Sequence, residues 1–232
     1  NESGPRRLGY GTVREHILGI KVALADGRVI KAGGKVVKNV AGYDLCKLFV
    51  GSRGSLGVII EATFKLRPLP ETEQFVQTSC ESPEKAGELL DAVSESELAP
   101  VVIDLHNLEA RSQKSEVGMT LVIGFAGARE DVEWQVAKAN ELGVNKPSSL
   151  DHDARFWADG KAGPLHKLSV SPSKVGEAIA SLGNVPFVAR AGNGVIWCRG
   201  GPEPRKTELP LSLTQRVKDA YDPKHIFPDF PT

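Results

Sequence analysis

Gly42, Gly51, Gly54 and Gly57 fall in one short stretch, GYDLCKLFVGSRGSLGVIIE, and their spacing is the feature of this sequence best suited to chemistry. Glycine has no Cβ, so it takes positive φ and lets main-chain N–H groups come close to an anion. Between Gly51 and Gly57, Ser52 and Ser55 add hydroxyls beside those amides, a donor set that suits a diphosphate. Just upstream, Asn39, Tyr43 and Asp44 bring amide, phenol and carboxylate groups that can orient a polar ligand. Plainer readings stand beside these: the glycines only shape tight turns, and Asn39 or Asp44 only caps a helix. Arg6 and Arg7 either offer planar double donors to a carboxylate or phosphate or are solvated.

The remaining chemistry-bearing residues are scattered. His16, His106, His152, His166 and His225 fall into neither H-x-x-x-H nor H-E-x-x-H spacing, so no metal site is assigned. His152, between Asp151 and Asp153, has the residue types of a metal cluster but reads as a solvated loop. No G-x-S-x-G marks a nucleophilic serine, and VGSRGSLG has the wrong pattern, so hydrolase chemistry is unsupported. Trp134, Trp157 and Trp197 read as core or interface anchors. The three cysteines, Cys46, Cys80 and Cys198, are far apart and form no C-x-x-C, which argues against a disulfide scaffold and for a reducing cytoplasm.

The elements that must position the glycine loop can be read from periodicity. Leu18 to Ile30 alternates apolar and polar residues around Asp26-Gly27, a hairpin signal. Tyr43 to Val50 has helical spacing, and Gly57 to Leu66 reads as a strand that ends at Pro68 and Pro70. A second domain is placed after that Pro-Leu-Pro stretch. Gln74 to Ser79 is its first strand, followed by a helix with Ser82 as cap and Pro83 at the first position. Strands are expected at Pro100 to Leu105 and Met119 to Phe125, with a helix from Glu130 to Leu142. A second cycle has strands at Leu165 to Ser171, Val185 to Ala191 and Gly194 to Arg199, and a helix at Ser173 to Leu182. This order suggests an α+β unit with helices on one face of an antiparallel sheet. A last helix, Leu213 to Tyr221, stops before Asp222-Pro223.

Composition bounds the function. The 232 residues suffice for one large or two small domains. Acidic and basic residues balance at 29 each, so no global field recruits nucleic acid or an anionic membrane. No apolar run is long enough to span a bilayer.

The sequence N-x-x-G-Y-D-L from Asn39 to Leu45, followed by G-S-x-G-x-L-G-V-I-x-E from Gly51 to Glu61, resembles the second half of the FAD-binding domain in FAD-linked oxidases of the vanillyl-alcohol-oxidase type. VVKNVAGYDL, the stretch from Phe156 to Val170 and RVKDAYDPKHIF narrow the resemblance to FAD-binding subunits of bacterial glycolate oxidases. It implies an α+β fold. By that resemblance residues 1–70 are expected to form the C-terminal part of a PCMH-type FAD-binding domain, 71–207 an antiparallel-sheet-plus-helices cap, and 208–232 a helix and tail that return to the FAD domain. It further implies an N-terminal FAD lobe, with the first glycine-rich loop, upstream of this sequence.

The cofactor implied is FAD. Its contacts are expected from Gly4, Tyr10, Gly11 and Thr12, from Asn39, Gly42, Tyr43 and Asp44, and from Gly51, Ser52, Gly54, Ser55, Gly57, Val58 and Ile59. The activity implied is oxidation of a small 2-hydroxy acid, glycolate to glyoxylate. The partners implied are a catalytic flavin subunit and an iron–sulfur subunit, in the cytoplasm or peripheral to the inner membrane through those partners. No catalytic base is assigned. Two departures from the family pattern matter. D-2-hydroxyacid dehydrogenases carry a histidine-rich motif where this chain reads AGNGVIWCRGG, and an NPG-like ending is replaced by Pro228, Asp229 and Phe230. The alternatives are a non-catalytic interaction or scaffold subunit without flavin, and a stand-alone D-lactate or other 2-hydroxyacid dehydrogenase. Apolar surface left by a missing lobe would favour self-association or a partner contact.

Overall fold

Asp26-Gly27 closes the hairpin expected from the alternation around it. In the computed structural model, β1 (Ile17–Ala23) and β2 (Val29–Gly33) pair antiparallel with Val22 opposite Ile30, and Gly27 takes φ 84° in the turn. The structure describes residues 4–35, 44–108, 118–158, 163–201 and 211–230. Two compact units divide them: 11–35, 44–68 and 211–230 form the first, and 4–10, 69–108, 118–158 and 163–201 the second. Residues 4–10, which include α1 (Arg7–Tyr10), cluster with the second unit rather than with the segment that follows them in sequence.

In the first unit, α2 (Val13–His16) precedes β1, and α3 (Cys46–Phe49) precedes β3 (Val58–Phe64). β3 pairs antiparallel with the free side of β1, which gives the order β2-β1-β3. One face of this sheet buries Ile20, Val22 and Ala32 against Cys46, Phe49 and Leu56. Val217 and Tyr221 of α8 (Leu211–Tyr221) pack on the same cluster, with the Tyr221 ring edge-on to Phe49 at 5.2 Å. At about 1.5–3 kcal/mol for each large apolar side chain fully buried, this small core carries the unit.

The second unit is a seven-stranded antiparallel sheet in the order β7-β4-β6-β5-β9-β10-β8. Its strands are β4 (Thr72–Cys80), β5 (Val102–His106), β6 (Met119–Gly127), β7 (Lys146–Pro147), β8 (Leu165–Ser169), β9 (Phe187–Arg190) and β10 (Val195–Arg199). Alternation along each strand sends Val76, Ile103, Leu105, Leu121, Ile123, Phe187 and Ile196 to one face. There they meet α4 (Pro83–Glu95), α5 (Arg129–Glu141) and α7 (Val175–Leu182). The Ser82 Oγ accepts the Lys85 N–H at 3.3 Å, the cap expected from the Ser-Pro pair. A short 3₁₀ turn, Pro172–Lys174, leads into α7.

The stretch expected as a solvated loop around His152 is instead α6 (Asp151–Ala158). It packs on the opposite face of the sheet from the other helices, because His152 bonds Asp104, whose strand neighbours Ile103 and Leu105 point to the helix-covered side. Its two buried residues, His152 and Phe156, lie four apart and form a face too short to stand out as periodic in sequence. No helix among the described residues is long and apolar enough to cross a membrane.

Candidate functional site

The glycine loop starts where α3 ends. Val50 leaves helical geometry at ψ 108°, with its N–H on the Cys46 carbonyl at 2.9 Å, and Gly51 follows at φ 100°. The chain then turns through Arg53 at φ 52° and Gly54 at φ 82°, two successive left-handed residues, before Leu56 enters the core and Gly57 leads into β3. Ser52 donates its N–H to Phe49 O at 3.1 Å, and Ser55 donates its N–H to Ser52 O at 3.0 Å.

The glycines have different tasks. A Cβ on Gly57 would lie 2.6 Å from Val22 Cγ1 and 3.0 Å from the Ala23 carbonyl, so this residue is small to let β3 close on β1. Gly54 has positive φ and nothing within 4 Å of where its Cβ would be. Its backbone can therefore be approached from open space, the access an anion needs to reach main-chain N–H groups. The Ser55 hydroxyl is buried and donates to Ser52 O at 2.7 Å, so it shapes the turn instead of facing a ligand. Val58 and Ile59, at the start of β3, are exposed.

Other expected contacts divide. Asn39, Gly42 and Tyr43 lie outside the described residues. Asp44 is exposed and pairs with Lys47 at 3.5 Å, while Leu45 occupies the N-cap position of α3. Gly11 takes φ 79° against the Glu15 side chain, and Thr12 gives its N–H to Glu15 Oε2 at 2.5 Å as the N-cap of α2. Gly4 and Tyr10 belong to the second unit, where Gly4 O accepts the Arg7 N–H at 3.2 Å and Tyr10 gives its N–H to Arg6 O at 3.0 Å. Arg6 makes a double hydrogen bond to Glu73 at 2.8 and 2.5 Å, so it serves an ion pair within that unit.

The sequence reading missed a buried polar cluster on the α6 side of the seven-stranded sheet. Arg190 donates to Asp104 Oδ2 at 2.5 Å and also binds Asp153, and His152 Nε2 meets the same Asp104 oxygen at 2.9 Å. His106 stacks on His152, 4.6 Å between centroids and 13° between planes. Burial, and then the charges of His152 and Arg155, hold His106 down at about 3, so it is neutral at physiological pH. A cleft of about 360 Å³ opens beside this cluster, lined by Gln77, His106, Ser148, His152 and Arg155. Asp104 and His106, at alternate positions of the apolar strand VVIDLH, were the available signal. Among the described residues no group of three His, Cys, Asp or Glu is placed to hold a metal. The three cysteines are buried thiols, each pushed up chiefly by that burial.

No protein-family profile matches the chain. Among curated proteins it is 40% identical over 104 residues to the glycolate oxidase subunit GlcD of Bacillus subtilis, covering 45% of this chain and 22% of that protein. It is 39% identical over 101 residues to the glycolate oxidase subunit GlcE of Escherichia coli, covering 44% and 28%. A D-lactate dehydrogenase of Archaeoglobus fulgidus and an uncharacterized FAD-linked oxidoreductase of Mycobacterium tuberculosis also match, over shorter stretches. The matched region spans less than a third of the length of each of these relatives. Among solved structures, an alkyldihydroxyacetonephosphate synthase superposes over 97% of this chain and 53% of its own length, with a TM-score of 0.67 at 17% identity. p-Cresol methylhydroxylase superposes over 80% of this chain and 51% of its own, with a TM-score of 0.54 at 13% identity. The chain has the α+β fold of these enzymes.

Proposed function

We propose that this chain, a homologue of FAD-linked oxidoreductases that include glycolate oxidase subunits and D-lactate dehydrogenases, is part of the FAD-binding subunit of a glycolate-oxidase-like flavoenzyme that oxidises a small 2-hydroxy acid, glycolate to glyoxylate. The observation that carries the reading is the open approach to the backbone at Gly54, inside a loop whose two flanking glycines serve the turn and the strand. FAD, when bound, would supply the hydride acceptor for oxidation of the hydroxy acid at C2. The Gly51–Gly57 backbone would receive its diphosphate, and the exposed Val58 and Ile59 its adenine side.

Partner subunits of a glycolate-oxidase-like assembly, a second flavin subunit and an iron–sulfur subunit, would take part in the chemistry and carry electrons away. The departure at AGNGVIWCRGG, where D-2-hydroxyacid dehydrogenases carry a histidine-rich motif, favours placing the main oxidation in such a partner.

Anaerobic mixing of the FAD-loaded chain with glycolate, with and without the partner subunits, tests the assignment. Bleaching of the flavin band by glycolate in the assembly supports it. Bleaching by D-lactate but not glycolate, with the chain alone, makes it a self-sufficient D-lactate dehydrogenase. A chain that takes up no FAD, alone or with the partner subunits, leaves the non-catalytic scaffold.

A further inference from the structure

Lys218 in the last turn of α8 and Asp222 just past its end are four apart, the spacing of an ordinary solvent-facing helix pair. In the structure neither faces solvent: Lys218 is 2% exposed and Asp222 is fully buried. Four oxygens surround the Lys218 Nζ and share its three N–H donors: Asp222 Oδ2 at 2.8 Å, Ser55 O at 2.8 Å, Phe227 O at 2.9 Å and Pro228 O at 2.9 Å. Asp222 in turn accepts the N–H groups of Ile226 at 2.8 Å and Phe227 at 2.9 Å. One ammonium thus joins three segments: the helix, the tail after it, and the glycine loop far upstream in sequence.

A buried ion pair is weak evidence for stability, since apolar side chains of similar volume usually replace it without loss. An ammonium does supply something an apolar group cannot, which is N–H donors that pull separate carbonyl oxygens towards one point. We infer that Lys218 is a positioning residue for the cofactor loop. By drawing the Ser55 carbonyl inward, it fixes the peptide plane that carries the Leu56 N–H, and in a trans peptide that N–H points away from Lys218. The orientation of the loop's backbone donors therefore depends on α8 and the tail. The tail contributes through this connection although it lacks the NPG-like ending associated with direct flavin contact. The inference rests on the FAD reading for its purpose, but not for its geometry.

Lys218→Met alone would leave the Asp222 carboxylate buried without its cation and could prevent folding. The double variant Lys218→Met/Asp222→Asn removes both charges and the donors to Ser55, Phe227 and Pro228, and the Asn oxygen keeps one of the two amides, Ile226 or Phe227, which bond different carboxylate oxygens. In the full chain, two readings are made: amide hydrogen exchange across residues 51–57 without FAD, and FAD affinity by titration. The expected result is exchange about tenfold faster in the loop with β1 and β2 unchanged, and FAD binding weaker by about tenfold, as loss of a charge-assisted hydrogen bond implies. Unchanged loop exchange in the folded double variant overturns the inference, as does unchanged FAD affinity where the parent binds FAD. If the parent binds no FAD, the FAD reading falls by itself and loop exchange alone decides whether Lys218 orders the loop.

Discussion

The imidazole of His106 lies stacked on that of His152, which in turn meets the buried carboxylate of Asp104, so two rings from distant parts of the chain share one desolvated site. The groups around them are Arg155, Asp104, Arg190 and Asp153, and burial, then the charges of His152 and Arg155, takes His106 down to about 3. In the unfolded chain His106 titrates near an ordinary histidine, about 6.5. Between those values the unfolded state binds the proton and the folded state does not, so stability is full above about pH 6.5 and falls as pH drops towards 3. Urea midpoints should decline through that window for the parent and decline less for His106→Phe, which keeps a ring over His152. Parallel curves would show that His106 does not carry the dependence.

Asp222 predicts a second, more acidic dependence. Burial alone would raise its carboxyl, but the Lys218 hydrogen bond, the Ile226 and Phe227 amides and the Lys218 charge bring it down to about 2. Its folded value lies below the unfolded one, so its contribution is present above about pH 4 and is lost as pH falls towards 2. The exchange of α8 amides should accelerate across that interval in the parent, and the Lys218→Met/Asp222→Asn variant should lose this component. An identical acid response in both would contradict the assignment.

The two glycines of the loop should separate by phenotype. Gly57→Ala forces a methyl against Val22 and the Ala23 carbonyl and should cost about 1–3 kcal/mol in urea unfolding. Gly54→Ala meets no neighbour and carries only the strain of positive φ, about 1 kcal/mol, but should weaken FAD retention. Equal stability losses, with FAD retention unaffected by Gly54→Ala, would remove Gly54 from the site.

The first unit also leaves apolar surface uncovered. On β3, an edge strand among the described residues, Val58, Ile60 and Phe64 are each at least half exposed. Such an edge favours pairing with another chain. Gel filtration with light scattering should show concentration-dependent association of the isolated chain, reduced by Ile60→Lys. A monomer at all concentrations would contradict this.

Local signals carried well from sequence to structure. Asp26-Gly27, the Ser82-Pro83 cap and the Gly57 to Leu66 strand depend on neighbours in sequence, and each is where its residues put it. His152 was misjudged because its surroundings come from Asp104, far away in sequence, and polarity without that partner reads as solvation. The burial of Lys218 has the same kind of origin, with Ser55 as its distant partner, and no local pattern marks it. Ser55 shows the converse: its type suggested a ligand donor, and its hydrogen bond to Ser52 O turned it into a loop brace.

The central claim is that the Gly51–Gly57 loop belongs to an FAD site, and the visible absorption spectrum of the chain tests it most directly. The chain is incubated with FAD and passed through gel filtration to remove free flavin. The account predicts a protein peak that retains flavin absorbance, diminished in Gly54→Ala. A colourless peak from a folded parent chain, or full retention by the variant, would contradict it.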